Sequence, residues 1–107
     1  MKIAVATDIA DETAPVSRHA ARAGFYLVFD ENGILLDVIH NPFKDYERVV
    51  GIRVADYLAD QRIDMVVAAK FGTGFTDALK SKGIRQAELG GQSKTVVGKA
   101  LRQDRAN

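Results

Sequence analysis

The chain has 107 residues, 47% of them hydrophobic, which is enough for one compact domain with a real core and too few for two. Lys and Arg number 15 against 14 Asp and Glu, so a formal charge of +1 supplies no global field to gather nucleic acid or an anionic membrane, and any charge-based recognition has to be local. Cysteine is absent, which excludes disulfides and thiolate ligation, including the Cys frameworks of iron–sulfur clusters.

The start of the chain, Lys2-Ile3-Ala4-Val5-Ala6, reads as strand rather than signal peptide, and no apolar run reaches the length of a membrane span. The expectation is a cytoplasmic protein with no membrane contact. Residues 3–7 form a short apolar run of the kind buried on both faces, and residues 8–17, polar and interrupted by Pro15, read as loop. Residues 25–29 and 34–39 are two apolar runs separated by Asp30-Glu31-Asn32-Gly33, where Asn-Gly is the strongest short hairpin signal, so they should pair antiparallel. Asn41-Pro42-Phe43-Lys44-Asp45 ends the second of them.

From about 49 to 59, Val50, Val54, Tyr57 and Leu58 recur at helical spacing and make one apolar stripe. Residues 63–69 are a continuous apolar run suited to a central parallel strand. Lys70-Phe71-Gly72-Thr73-Gly74 then turns the chain into a helix over about 75–82, which stops at Gly83, a residue free to adopt the left-handed conformation. A short strand over 84–87 follows, Ser93 is placed to cap a last helix running to about Arg102, and residues 103–107 are a polar tail after a single domain over 1–102. The expected core is Ile3, Val5, Leu27, Phe29, Val38, Val66 and Val67, with Val54 and Leu58 packing from the first helix. Strands and a hairpin followed by helix, strand, helix, strand and helix describe an α/β fold around a mixed five-stranded sheet.

One segment stands out. Residues 16–30 read VSRHAARAGFYLVFD, with His19 in a loop that runs directly into an apolar strand. This stretch resembles the dinitrogenase iron-molybdenum cofactor biosynthesis family, which includes the NifX-like proteins and the C-terminal domain of NifB and typically shows V-S-x-H-F-G-R-A-x-x-F-x-x-x-D. Val16-Ser17, His19, Arg22-Ala23 and Asp30 keep that register, while Ala20-Ala21 replaces Phe-Gly. The later segments GIRVADYL (51–58), IDMVVAA (63–69) and GTGFTDALKSKGI (72–84) follow the family's order and spacing, so the resemblance extends over nearly the whole chain.

The resemblance implies a ribonuclease H-like three-layer fold, with strand order 3-2-1-4-5, the second strand antiparallel to the rest, and helices on both faces. In that order the ends of strands one and four meet at one edge, where open α/β sheets usually bind ligands. Thr7, Asp8, the loop with His19 and Arg22, and the turn Lys70, Gly72, Thr73, Gly74 converge there. A Gly-rich turn opening a helix offers unpaired N–H groups and the positive end of the helix dipole, to which Arg22 and Lys70 add full charges. The pattern is an anion site in outline and not a P-loop, because G-x-x-x-x-G-K-[ST] is missing; equally, Gly72 and Gly74 can simply make a tight turn.

As a metal ligand, His19 is the candidate; a neutral imidazole suits iron, molybdenum and copper alike. His40 reads as a structural or surface residue and Met65 as core. A nuclease reading of the fold fails at the fourth strand, where Ala69-Lys70 stands in place of an acid and a lysine would repel two divalent metals. The resemblance therefore implies a non-enzymatic carrier of an anionic metal–sulfur cluster, either an iron-molybdenum cofactor or precursor or a related molybdenum, iron or copper cluster. Cluster donor and acceptor proteins would be its partners, with no role for nucleic acid. The alternative is a metal-free interaction or regulatory domain, to which the basic last helix, with Lys94, Lys99, Arg102 and Arg105, could contribute, although those charges also suit a solvated face.

Overall fold

A computed structural model of the chain describes residues 1–106. Five strands and three helices alternate as β1 (Ile3–Thr7), β2 (Phe25–Phe29), β3 (Leu35–His40), α1 (Val50–Asp60), β4 (Met65–Ala68), α2 (Thr73–Ser81), β5 (Arg85–Glu88) and α3 (Ser93–Ala106). The sheet order is β3-β2-β1-β4-β5. Strand β2 runs antiparallel to both β1 and β3, whereas β1, β4 and β5 are parallel, as the family resemblance implies.

Alternation along the strands divides the core into two layers. Ala4, Ala6, Tyr26, Val28, Ile39, Val66 and Ala68 face α1 and α2, meeting Val54, Ala55, Leu58, Phe75 and Leu79. Ile3, Val5, Leu27, Phe29, Met65 and Val67 face α3, meeting Val96, Val97, Ala100 and Leu101. Met65 is thus core, and helices cover both faces. The β2–β3 hairpin closes through Gly33, whose φ of 80° needs a residue without Cβ, while Asp30 Oδ1 accepts the N–H groups of Asn32 and Ile34.

Three expectations are corrected. Val38 is 41% exposed, because β3 is the edge strand and α3 packs over β1, β4 and β5 instead. Ser93 is the first residue of α3 rather than its cap; it is buried, and its hydroxyl donates to the Glu12 carbonyl at 2.7 Å, fastening the helix to the loop after β1. The helix also continues past Arg102 to Ala106, where Asp104 pairs with Arg85 of β5; of the supposed tail, Asn107 lies outside the described residues. At the other helices the outcome follows the sequence closely. Gly83, with φ of 71°, ends α2, and Gly83 N–H and Ile84 N–H return to the carbonyls of Lys80 and Leu79.

Candidate functional site

The loop between β1 and β2 is held at almost every residue, which is what fixes the position of His19. Ser17 N–H donates to Ala6 O at 2.7 Å and Ala69 N–H donates to Ser17 O at 2.8 Å, so the loop is stitched to the ends of both β1 and β4. The Asp8 carboxylate spans the loop's two ends, accepting from the Ser17 hydroxyl at 3.0 Å and from Gly24 N–H at 3.3 Å. Ser17 Oγ in turn accepts His19 N–H at 3.0 Å. Asp8 is therefore a brace for the loop.

Two further side chains act from the other side. Tyr26 donates its hydroxyl to Ala20 O, and burial pushes its pKa upward, so it stays a neutral donor. Asn41, 1% exposed, donates Nδ2 to both Ala21 O and Ala23 O at 2.9 Å, while its Oδ1 accepts Phe43 N–H at 3.0 Å. One carboxamide thus satisfies two loop carbonyls and starts the next turn. Backbone groups spent this way cannot relax toward water, so the exposed His19 side chain projects from a rigid base.

His19 lines a cavity of about 530 Å³ together with Arg18, Ala20, Ala21 and Arg22 from its own loop, Val49 to Ile52 at the start of α1, and Lys70, Phe71, Gly72, Gly74 and Phe75 at the start of α2. Its wall is apolar: Ala20, Val50 and Phe75 are buried, and the Phe71 and Phe75 rings stack with centroids 6.0 Å apart. Its polar side is of one sign. Arg18, Arg22 and Lys70 line it, and no Asp or Glu does.

Two helices begin at this cavity, and neither is capped. Gly72, the cap residue of α2, and Val49, that of α1, make no side-chain hydrogen bond to the first turn, and no acid occupies either first turn. The free N–H groups and positive dipole ends of both helices are therefore available to a ligand. They come together because residue 51 is glycine: a Cβ there would stand 3.0 Å from the backbone N and Cα of Phe75.

Of the residues singled out from sequence, His19, Arg22, Lys70, Gly72 and Gly74 are brought together here. Thr73, the first residue of α2, is exposed beside them and does not line the cavity. Thr7 is turned away, fully buried on the face shared with Ile3 and Val5, with its hydroxyl unpartnered. Arg22 carries a second duty, donating Nη1 to Lys44 O at 3.0 Å and Tyr46 O at 2.7 Å. His40, on β3, makes an edge-to-face contact with the Phe25 ring at 5.6 Å, a packing role. Arg18 and the start of α1 were not anticipated; Arg18 had no signal beyond its adjacency to His19. Among the described residues no three His, Asp or Glu side chains gather as a metal cage.

Sheet order, layering and the cavity at the carboxyl ends of β1 and β4 define a small ribonuclease H-like α/β protein with an electropositive, apolar-walled site. The chain belongs to the dinitrogenase iron-molybdenum cofactor family, which matches residues 1–103. Among solved structures it is similar to the apo form of the orange protein from Desulfovibrio gigas, at 21% identity and a TM-score of 0.81, covering 98% of this chain and 87% of that one. A NifB-like protein from Thermotoga aligns at 22% identity and a TM-score of 0.76, covering 97% of this chain and 89% of its own. At such identities the likeness speaks to the fold. No curated protein sequence matches the chain.

Proposed function

We propose that this protein is a non-enzymatic carrier that holds an anionic metal–sulfur cluster in the cavity and passes it between assembly proteins. The observation that carries the reading is the convergence of one imidazole, three cationic side chains and two uncapped helix N-termini on a single cavity without an acid. Membership of a family named for the iron-molybdenum cofactor supplies the class of cargo. The orange protein's apo form implies a loaded counterpart on the same fold.

The donor set also explains why a carrier fits better than a permanent holder. One imidazole and no thiolate give a bond that a partner can displace, while the charge of the cluster is offset by groups that need not move: each helix end contributes about 0.3–1 kcal/mol, up to ~2 where partly buried. His19 is the metal ligand in this reading. Arg18, Arg22, Lys70 and the N–H groups from Gly72 to Gly74 and around Val50 hold the anion. The single imidazole equally favours a second reading, a metal-free interaction domain, which cluster uptake distinguishes.

Lys70 is exposed and pairs with no acid among the described residues, so Lys70→Glu should leave the melting temperature nearly unchanged. Titration with an anionic cluster should show affinity lower by about tenfold or more at low salt, with a shallower salt dependence, because one attractive charge becomes repulsive. Unaltered affinity and salt dependence would remove Lys70 from the site.

A further inference from the structure

Arg22 belongs to two structures at once. The residue lines the cavity, yet both hydrogen bonds its guanidinium makes go to the neighbouring strap, from Nη1 to Lys44 O and Tyr46 O. Among the described residues these are the only hydrogen bonds that fasten the backbone of residues 44–48 to another part of the chain; the remaining one, Tyr46 N–H to Phe43 O, is internal to the turn. Ring contacts add a looser hold: Tyr46 meets Phe43 edge-on at 5.2 Å and lies under the Arg53 guanidinium at 5.1 Å, but it is 43% exposed.

The segment also ends under strain. Val49 sits at φ 52°, ψ 31°, the left-handed region that a β-branched side chain strongly disfavours, and it is both the cap of α1 and part of the cavity wall. A strained residue persists only while its surroundings hold it. Val49 is tied forward to α1 by Arg53 N–H on its carbonyl at 3.0 Å, and the side chain that fixes the residues leading into it is Arg22, a cation beside an anion site.

We infer that Arg22 is a two-position latch coupling cavity occupancy to the strap of residues 44–49. This rests on the reading of the cavity as an anion site. In the free protein the guanidinium clamps the strap. With an anion in the cavity it turns inward, because a pair with an anion adds attraction between two full charges to the hydrogen bond and can be bidentate, which a single neutral carbonyl cannot offer. Once released, the strap loses the hydrogen bonds that tie Lys44 and Tyr46 to the β1–β2 loop, Val49 relaxes out of the left-handed region, and the wall formed by Val49 at the start of α1 becomes mobile. Loading is thereby reported on the outer surface, at Lys44 to Arg48, where an acceptor can sense it.

Amide hydrogen exchange on the intact protein tests the latch, with tetrathiomolybdate as the anionic probe and sodium chloride of equal ionic strength as the control. Exchange of the Tyr46 and Arg53 amides, whose hydrogen bonds to Phe43 O and Val49 O depend on the strap staying in place, is expected to rise on the order of tenfold on saturation in the parent. In free Arg22→Gln it should already be raised by a similar factor and respond no further, while Arg22→Lys, which keeps the charge but not the fork, should fall between. Binding with unchanged or slower exchange of these two amides overturns the latch and leaves the anion site standing, as does a free Arg22→Gln protein in which they exchange like the parent's. Absence of probe binding to the parent overturns the anion site and the latch together.

Discussion

Val66→Asp is expected to leave the protein unfolded. Val66 has no exposed surface, pairs in register with Ala4 of β1 and Gln86 of β5, and belongs to the core beneath α1 and α2. A carboxylate there would face Val54, Leu58 and their neighbours with no donor in reach, at a cost of several kcal/mol against the ~5–15 kcal/mol that stabilises a typical domain. Val66→Ala removes volume without adding charge, should cost about 1–3 kcal/mol and should keep a cooperative transition at a lower midpoint. Far-ultraviolet circular dichroism through a urea titration separates the two; an Asp variant that unfolds near the parent's midpoint would mean that β4 is not a buried interior strand.

Gly51→Val should carry the next largest effect, and in this case stability and site fail together. The two helix starts touch at residue 51, where an added Cβ would meet the Phe75 backbone at 3.0 Å and its Cβ at 3.3 Å. Backbone cannot swing aside as a flexible side chain does, so α1 and α2 must separate. Overpacking of this kind costs about 1–3 kcal/mol, equivalent to a fall in melting temperature of roughly 5–15 °C for a chain of this size. Gly72→Ala and Gly74→Ala are the controls, since a Cβ at either position meets nothing within 4 Å. Calorimetry on the three variants should show a depressed midpoint for Gly51→Val alone, and cluster affinity should fall with it because the converging N–H groups have been moved apart. Three coincident midpoints would show that the helices do not depend on that contact.

The strands were legible because apolar runs such as FYLVF and MVVA bury both faces and leave little choice of partner. Val38 shows the limit of that reasoning. Its apolar, alternating context is the same as its neighbours', and only its place on the edge strand beyond the reach of α3 leaves it open to solvent. The site was half legible. Lys70, Gly72 and Gly74 follow a strand directly, and His19 and Arg22 precede one, so proximity at a sheet edge follows from the strand order. Asn41, Tyr26 and Asp8, which hold the His19 loop rigid, act through backbone carbonyls and N–H groups up to 20 residues away in sequence, and no local pattern marks such a bond. Gly51 likewise reads as an ordinary residue within a helix; its reason for being glycine exists only where Phe75 arrives. Arg22 was expected for its charge, while its grip on the 44–46 backbone depends on a loop whose path the sequence does not announce.

Metal ligation by His19 is tested most directly by anaerobic reconstitution of the parent, His19→Ala and His40→Ala proteins with an iron-molybdenum or thiomolybdate-type cluster, followed by visible absorption after removal of unbound cluster. Because His19 is an exposed loop side chain whose backbone is held independently, its removal should leave the fold intact, so lost uptake cannot be ascribed to unfolding. The cluster absorption should be present in the parent and in His40→Ala and lost in His19→Ala. Equal uptake by the parent and His19→Ala would contradict the ligand assignment, and no uptake by the parent with any cluster tried would contradict the carrier itself.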